Sequence, residues 1–187
     1  MTKSPELRSL LSDGRHALSV ARVKEICALI ANKPRLAGRL IEHIWDDDPG
    51  VAQRAADVLE RVSRNPSPTL ARILDGSKEA LLGLLPEAEL KKIRWNLALT
   101  IGRLPLTTQE ANRAAGVLES WLQDESSIVK TAALHGLADL TLRDPSLRPN
   151  VIELLQVIGR SGTPAMRART RLLLARFEMA DRAVNSQ

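Results

Sequence analysis

One stretch of the chain, residues 36–62, recurs 78 residues later without an insertion or a deletion. The identical positions are Ala37, Gly38, Leu40, Asp46, Val51, Ala55 and Leu59, which return as Ala115, Gly116, Leu118, Asp124, Val129, Ala133 and Leu137. Each copy has the pattern of a helix, an acidic turn and a second helix, and a proline follows shortly afterwards. A fixed internal period predicts stacked helical units of one kind, and therefore an α-solenoid.

The composition favours a packed helical protein. Hydrophobic residues make up 44% of the chain but aromatic residues only 2%, so the core must consist of aliphatic side chains. No run of about 18 apolar residues is present, and the charged N-terminal residues lack the apolar core of a signal peptide. The single cysteine, Cys27, cannot form an internal disulfide. We therefore expect a cytoplasmic protein with no membrane-spanning segment.

Prolines, glycines and aspartates divide the chain into helix pairs within one domain, residues 1–187. An N-terminal helix is predicted over residues 15–31, and four helix pairs at 34–63, 66–104, 108–143 and 149–181. Asp48 is predicted to cap the second helix of the first pair, because Pro49 follows it at the first helical position. Residues 66–76 contain two prolines and the Asp75-Gly76 break, which predicts an irregular insertion.

The second helices align in four apolar columns. The later columns lie 4, 8 and 11 residues after the first, which places all four on one helical face and predicts that they are buried. The columns are Val51, Ile93, Val129 and Met166; Ala55, Leu97, Ala133 and Thr170; Leu59, Ile101, Leu137 and Leu174; and Val62, Leu104, Leu140 and Phe177.

Five glycines fall inside the predicted helices, where each costs about 1 kcal/mol relative to alanine. They are Gly38, Gly83, Gly102, Gly116 and Gly136. We expect neighbouring helices to approach closely at these positions.

The helix pairs resemble those of the HEAT-repeat family. The resemblance rests on the length of the pairs, an aspartate in the turn, and a basic residue just after the first apolar column of the second helix. These residues are Asp46 and Asp124 in the turns, and Arg94, Lys130 and Arg167 on the helices. The resemblance covers residues 34–180. It implies an all-α fold, a right-handed superhelical α-solenoid of about four HEAT-like helix pairs plus the N-terminal helix. It also implies that the basic residues bridge to turn aspartates of neighbouring repeats, and that the second helices line a concave binding face. Ala52 stands where the first pair should carry its basic residue, and the second and fourth pairs lack the turn aspartate.

Few residues are candidates for catalysis. His16, His43 and His135 lie far apart without metal-ligand spacing, and Cys27 lies on an apolar helical face. The chain has no glycine-rich phosphate loop, HExxH motif or Cys-x-x-Cys motif. Residues 46–48 form an acidic run that a helix-capping turn explains better than a cation site. We therefore expect a non-catalytic protein without metal, cofactor or small-molecule substrate.

Binding residues are expected on the side of the second helices opposite the columns. The candidates are Trp95, Leu99, His135, Arg169, Arg171, Leu172 and Arg176. Asp57 and Glu60 would make one end of this groove acidic. Trp95 would serve as an anchor if it is exposed, whereas packing beneath residues 66–76 is the alternative. Trp45 and Trp121, near the ends of first helices, are expected to pack in the core or between repeats.

The resemblance therefore implies a scaffold that binds a protein partner through its concave face. Nucleic-acid binding is the alternative, because residues 143–187 contain 8 arginines and only 4 acidic residues, and the net charge is +5. An enzyme resembling the HEAT-like alkylpurine DNA glycosylases is a further alternative, although no active-site motif matches. The acidic end of the groove would repel phosphate and counts against both alternatives.

Overall fold

The computed structural model describes residues 5–12 and 20–184, and these residues contain α-helices and short 3-10 helices but no strand. The predicted all-α solenoid is confirmed. The chain forms two compact units, Met1–Pro105 and Leu106–Gln187. The prediction of a single domain over residues 1–187 stays a prediction. No helix in the described ranges is long and apolar enough to cross a membrane.

In the first unit, α4 is the central helix and packs against α1, α2, α3 and α7, while α5 packs against α3 and α6. The helices of this unit are α1 (Pro5–Ser12), α2 (Val20–Asn32), α3 (Leu36–Glu42), α4 (Pro49–Val62), α5 (Pro68–Gly76), α6 (Lys78–Glu87) and α7 (Lys91–Ile101). Leu7 and Leu11 are the buried residues through which α1 packs into this unit. The first part of the helix predicted at 15–31, up to residue 19, lies outside the described residues.

In the second unit, α9 packs against α8, α10 and α11, and α10 pairs with α11. The helices are α8 (Thr108–Ser120), α9 (Ser127–Arg143), α10 (Arg148–Ser161) and α11 (Pro164–Val184). A capping box begins α8, because the Thr107 hydroxyl accepts from the Glu110 amide while the Glu110 carboxylate accepts from the Thr107 amide. The Thr163 hydroxyl accepts from the Met166 amide at 3.3 Å and begins α11.

The two copies of the sequence repeat have the same local structure. A 3-10 helix follows the first helix of each copy, His43–Trp45 after α3 and Trp121–Gln123 after α8. In each turn the aspartate accepts a hydrogen bond from the amide two residues later: the Asp48 amide donates to Asp46 Oδ1 at 3.1 Å, and the Ser126 amide to Asp124 Oδ1 at 2.7 Å. The repeated aspartate therefore shapes the turn between the two helices of a pair.

Asp48 caps α4 as predicted. Its carboxylate accepts from the Gly50 amide at 2.7 Å and the Val51 amide at 3.3 Å, with Pro49 at the start of the helix. These bonds confirm the predicted role of this acidic turn as a helix cap.

The predicted columns form the core of both units. Every column residue except Leu174 is buried, and the neighbouring Leu173 is buried beside it. Ala55 and Ala133 occupy equivalent places and are both 0% exposed, which confirms the alignment of the second helices.

One prediction about the second pair was wrong. Residues 68–76 are not an irregular insertion but the regular helix α5, because the Ser67 hydroxyl caps it through the Leu70 amide and Pro68 starts it. The predicted break occurs one residue later than Asp75-Gly76, at Ser77, between the end of α5 at Gly76 and the start of α6 at Lys78. The second helix of this pair begins at Lys91, because Ala88 and Leu90 adopt extended backbone angles after Pro86.

The expectation that helix glycines mark close approaches was wrong at three positions. A Cβ atom built on Gly38, Gly83 or Gly116 would meet no heavy atom within 4 Å. These glycines therefore lie beside open space and not against a neighbouring helix.

Candidate binding surfaces

The second helices of the pairs carry a partly accessible stripe opposite the buried columns. In the first unit this stripe is formed by Gln53 and Asp57 on α4 and by Trp95 and Leu99 on α7, and all four residues are half-buried. Since α4 and α7 pack against each other, the four residues belong to neighbouring helices of the same unit. Trp95 is thus neither fully exposed nor fully buried.

The corresponding stripe in the second unit lies on α9 and α11. Thr131 and His135 on α9 are half-buried, as is Ala168 on α11, whereas Leu172 is 65% exposed. Arg169 is half-buried and Arg171 is exposed. The predicted binding residues are therefore all at least partly accessible, and their role in binding stays a prediction.

Glu60 was predicted to make one end of the groove acidic, but it does not. It is only 2% exposed, and its carboxylate binds two arginines: Arg64 Nη2 lies 2.8 Å from Oε2, and Arg103 Nη2 lies 2.8 Å from Oε1. Burial alone would raise the pKa of Glu60, but the hydrogen bonds from Arg64 and Arg103 outweigh it and lower the pKa. The negative charge is thus compensated inside the fold.

A second ion pair of the same kind occurs in the second unit. Arg176 on α11 donates to Oδ1 of the buried Asp139 on α9, and His135 Nε2 lies 3.6 Å from the other carboxylate oxygen. Arg176 therefore connects α11 to α9, a structural role that was not predicted; its predicted role in ligand binding stays a prediction. Arg103 and Arg176 stand ten residues after Ile93 and Met166, so their equivalence was visible in the alignment of the second helices.

Two of the basic residues that follow the first column, Arg94 and Arg167, contact the turns before their own helices. Arg94 Nη2 donates to the Glu89 carbonyl at 2.6 Å, and Arg167 Nη1 donates to the Gly162 carbonyl at 2.8 Å. The bridge to a neighbouring turn aspartate that the family resemblance implied is not made by Arg167. Both arginines act on the turn immediately before their own helix.

The three tryptophans differ in their surroundings. Trp121 is buried, as expected for a residue that packs in the core. Trp45 occupies the end of the corresponding 3-10 helix in the first unit and is 54% exposed, so its predicted packing was wrong. The equivalent buried place is filled by His43, whose Nδ1 lies 3.5 Å from Asp46 Oδ2.

The described part of the chain shows no arrangement suited to metal binding. No group of three or more histidine, cysteine, aspartate or glutamate side chains within it is placed to hold an ion. Cys27 is half-buried, and burial raises the pKa of its thiol, which keeps it in the protonated form. His16 lies outside the described residues.

The helices of the described residues form an armadillo-like α-solenoid. No family model and no curated protein sequence matches this chain. Among solved structures, it is similar to a designed armadillo repeat protein in complex with the peptide (KR)4, with 15% identity, a TM-score of 0.60, and coverage of 90% of this chain and 79% of that chain. It is also similar to an engineered protein, with 19% identity, a TM-score of 0.63, and coverage of 91% and 78%. At these identities the similarity establishes the fold.

Proposed function

We propose that this chain is a non-catalytic, HEAT-like scaffold that binds a segment of a partner protein on the exposed side of two of its second helices, α4 and α7. The observation that carries the proposal is the stripe on α4 and α7, where Trp95 and Leu99 are accessible beside Gln53 and Asp57. The stripe combines an aromatic and an aliphatic surface with polar groups. Such a combination is typical of protein-binding sites, in which one large side chain contributes much of the affinity.

The designed neighbour supports the proposal because it binds a peptide on the same type of fold. Its ligand, (KR)4, is strongly basic, whereas the stripe on α4 and α7 contains one carboxylate, Asp57, which is already 3.3 Å from Arg61. We therefore expect the ligand of this chain to contact Trp95 through apolar side chains.

The test uses peptides selected for binding to the full chain from a displayed random library. The affinity of each labelled peptide is then measured for the wild type, for Trp95→Ala and for the matched control Trp45→Ala. Trp95→Ala should weaken binding by about 2 kcal/mol or more, while Trp45→Ala, at an exposed site outside the stripe, should leave it unchanged. Equal affinities for wild type and Trp95→Ala would contradict the proposal, provided that both unfold at similar temperatures.

Nucleic-acid binding makes a different prediction for the arginines of α11. Arg176 already binds Asp139, so Arg169 and Arg171, which form no ion pair within the described residues, would have to contact phosphate. In that case Arg169→Ala combined with Arg171→Ala would weaken binding of a labelled oligonucleotide, and added salt would weaken it steeply. We expect no such binding, and no release of bases from alkylated DNA.

A further inference from the structure

The last helix, α11, has two apolar faces. One is the buried face formed by Met166, Thr170, Leu173 and Phe177. On the opposite side, Ala168, Leu172, Ala175 and Met179 follow one another at spacings of four, three and four residues. This is the spacing of a helix that packs lengthwise against another helix. Leu172 and Met179 are 65% and 63% exposed, the highest values among the exposed large apolar residues of the described chain.

The equivalent positions are less exposed on two earlier second helices. Asp57 and Glu60 on α4 correspond to Leu172 and Ala175, as do His135 and Ala138 on α9. Asp57 and His135 are half-buried, and Glu60 and Ala138 are buried. Leu172 and Ala175 on α11 are both exposed. On α11 the stripe is thus an apolar helix face with more exposed residues than the equivalent positions of α4 and α9.

The charges beside the stripe indicate which helix would cover it. Arg169 and Arg171 flank Leu172 and form no ion pair with the described residues. Arg176 lies beside Ala175 and shares the carboxylate of Asp139. Glu178, the one acidic residue next to Met179, lies 3.9 Å from Arg182. Two copies of α11 would bring arginines together, whereas a helix with acidic flanks would be attracted.

We propose that this face of α11 docks an amphipathic helix of a partner protein, one that has an apolar stripe flanked by glutamates or aspartates. Leu172 and Met179 contribute the apolar contact, and Arg169 and Arg171 select the charge of the partner. This surface is separate from the stripe on α4 and α7, so the inference goes beyond the proposed function and does not depend on it.

The experiment uses two labelled helical peptides with the same leucine stripe, one with glutamate flanks and one with lysine flanks. Binding is measured by fluorescence anisotropy for the wild type, for Leu172→Ser combined with Met179→Ser, and for the control Leu142→Ser combined with Val157→Ser. The control residues are also exposed apolar side chains, but they lie outside the stripe. We expect the glutamate peptide to bind about tenfold more tightly than the lysine peptide, and the stripe variant to lose about tenfold in affinity relative to the control.

Arg171→Glu should reduce the preference for the glutamate peptide, whereas Trp95→Ala should change nothing, which separates this surface from the one on α4 and α7. Equal binding by the stripe variant and the control would overturn the inference. Concentration-dependent dimerisation that the stripe variant abolishes would overturn it in favour of a second copy of the chain. Tighter binding of an oligonucleotide than of the glutamate peptide would overturn it in favour of nucleic acid.

Discussion

Arg103, just after α7, donates from Nη2 to Oε1 of Glu60 on α4 at 2.8 Å and from Nη1 to the Glu60 carbonyl at 3.0 Å. Arg176 makes a similar contact from α11 to Asp139 on α9, one position further along the helix than the residue equivalent to Glu60. In each unit, an arginine ten residues after the first column of one second helix therefore binds a buried carboxylate on the preceding second helix. These pairs connect adjacent repeats through charge-assisted hydrogen bonds and not through apolar contact alone.

Removal of Arg103 should destabilise the first unit. Arg103→Met leaves Glu60 buried with Arg64 as its remaining arginine, and we expect the free energy of unfolding to fall by about 1–3 kcal/mol. Arg61→Met is the matched control, because Arg61 forms an exposed pair with Asp57 on the same helix. Its effect should stay below about 0.5 kcal/mol. Urea denaturation measures both variants, and equal losses would show that the Glu60 contact is no stronger than a surface pair.

The Arg8–Asp46 pair predicts a pH dependence of stability. Arg8 donates through Nε and Nη2 to both oxygens of Asp46, at 2.8 Å each, and these bonds lower the pKa of Asp46 from 3.8 to about 2. Because the folded pKa lies below the unfolded one, the stabilisation is complete above about pH 4 and is lost as the pH falls towards 2. Arg8→Met should raise the pKa of Asp46 and reduce this acid sensitivity.

The pKa of Asp46 can be followed from its carboxyl carbon by NMR in both proteins. Thermal unfolding between pH 2 and pH 5 gives the stability, with pH 7 as the reference. An unchanged Asp46 titration in Arg8→Met would contradict the assignment of the shift to Arg8. Arg22→Met is a suitable control, since Arg22 pairs with Glu25 at 2.8 Å on α2 and does not touch Asp46 in the structure.

The apolar columns were predictable because aliphatic residues that recur with the period of an α-helix lie on one face of that helix, and that face is buried. Four residues with offsets of 4, 8 and 11 define one face whatever the details of the turns, and Ala55 and Ala133 are buried as that argument requires. The outward stripe was less predictable. Glu60 lies nine residues after Val51, at the edge of the exposed side, and whether it is exposed depends on Arg103, a residue from the next helix pair.

The course of residues 66–76 could not be obtained from local signals alone. Two prolines there favoured irregular structure, yet Pro68 occupies the first position of a helix, where it is tolerated, and Ser67 supplies the cap. The exposure of Trp45 was missed for a related reason. The repeat pairs Trp45 with Gln123 and His43 with Trp121, so the buried position of the motif falls on His43 in the first copy.

Arginine at the second column should be strongly destabilising. Ala133 is 0% exposed, in a space sized for a methyl group, so Ala133→Arg would bury an unpaired charge and overpack the core. We expect a loss of several kcal/mol in the free energy of unfolding. Ala80→Arg is the control, because Ala80 is exposed on α6. Urea denaturation followed by circular dichroism measures both, and equal stabilities would contradict the column alignment.

Replacement of a repeated glycine should have the opposite effect. Gly116 is exposed within α8, and a Cβ atom there would meet no heavy atom within 4 Å. Alanine loses less backbone entropy on folding than glycine, so Gly116→Ala should raise the free energy of unfolding by about 0.5–1 kcal/mol. Gly162→Ala is the matched control, since its Cβ would lie 2.6 Å from the Ile158 carbonyl oxygen.

The two variants therefore make opposite predictions in the same unit. Gly162→Ala must displace backbone at the end of α10, and we expect it to lower the free energy of unfolding, whereas Gly116→Ala raises it. Both are measured by urea denaturation of the full chain, with the slope against urea concentration checked for constancy. A loss of stability in Gly116→Ala would mean that the repeated glycine is retained for a close contact after all, as the sequence alone had indicated.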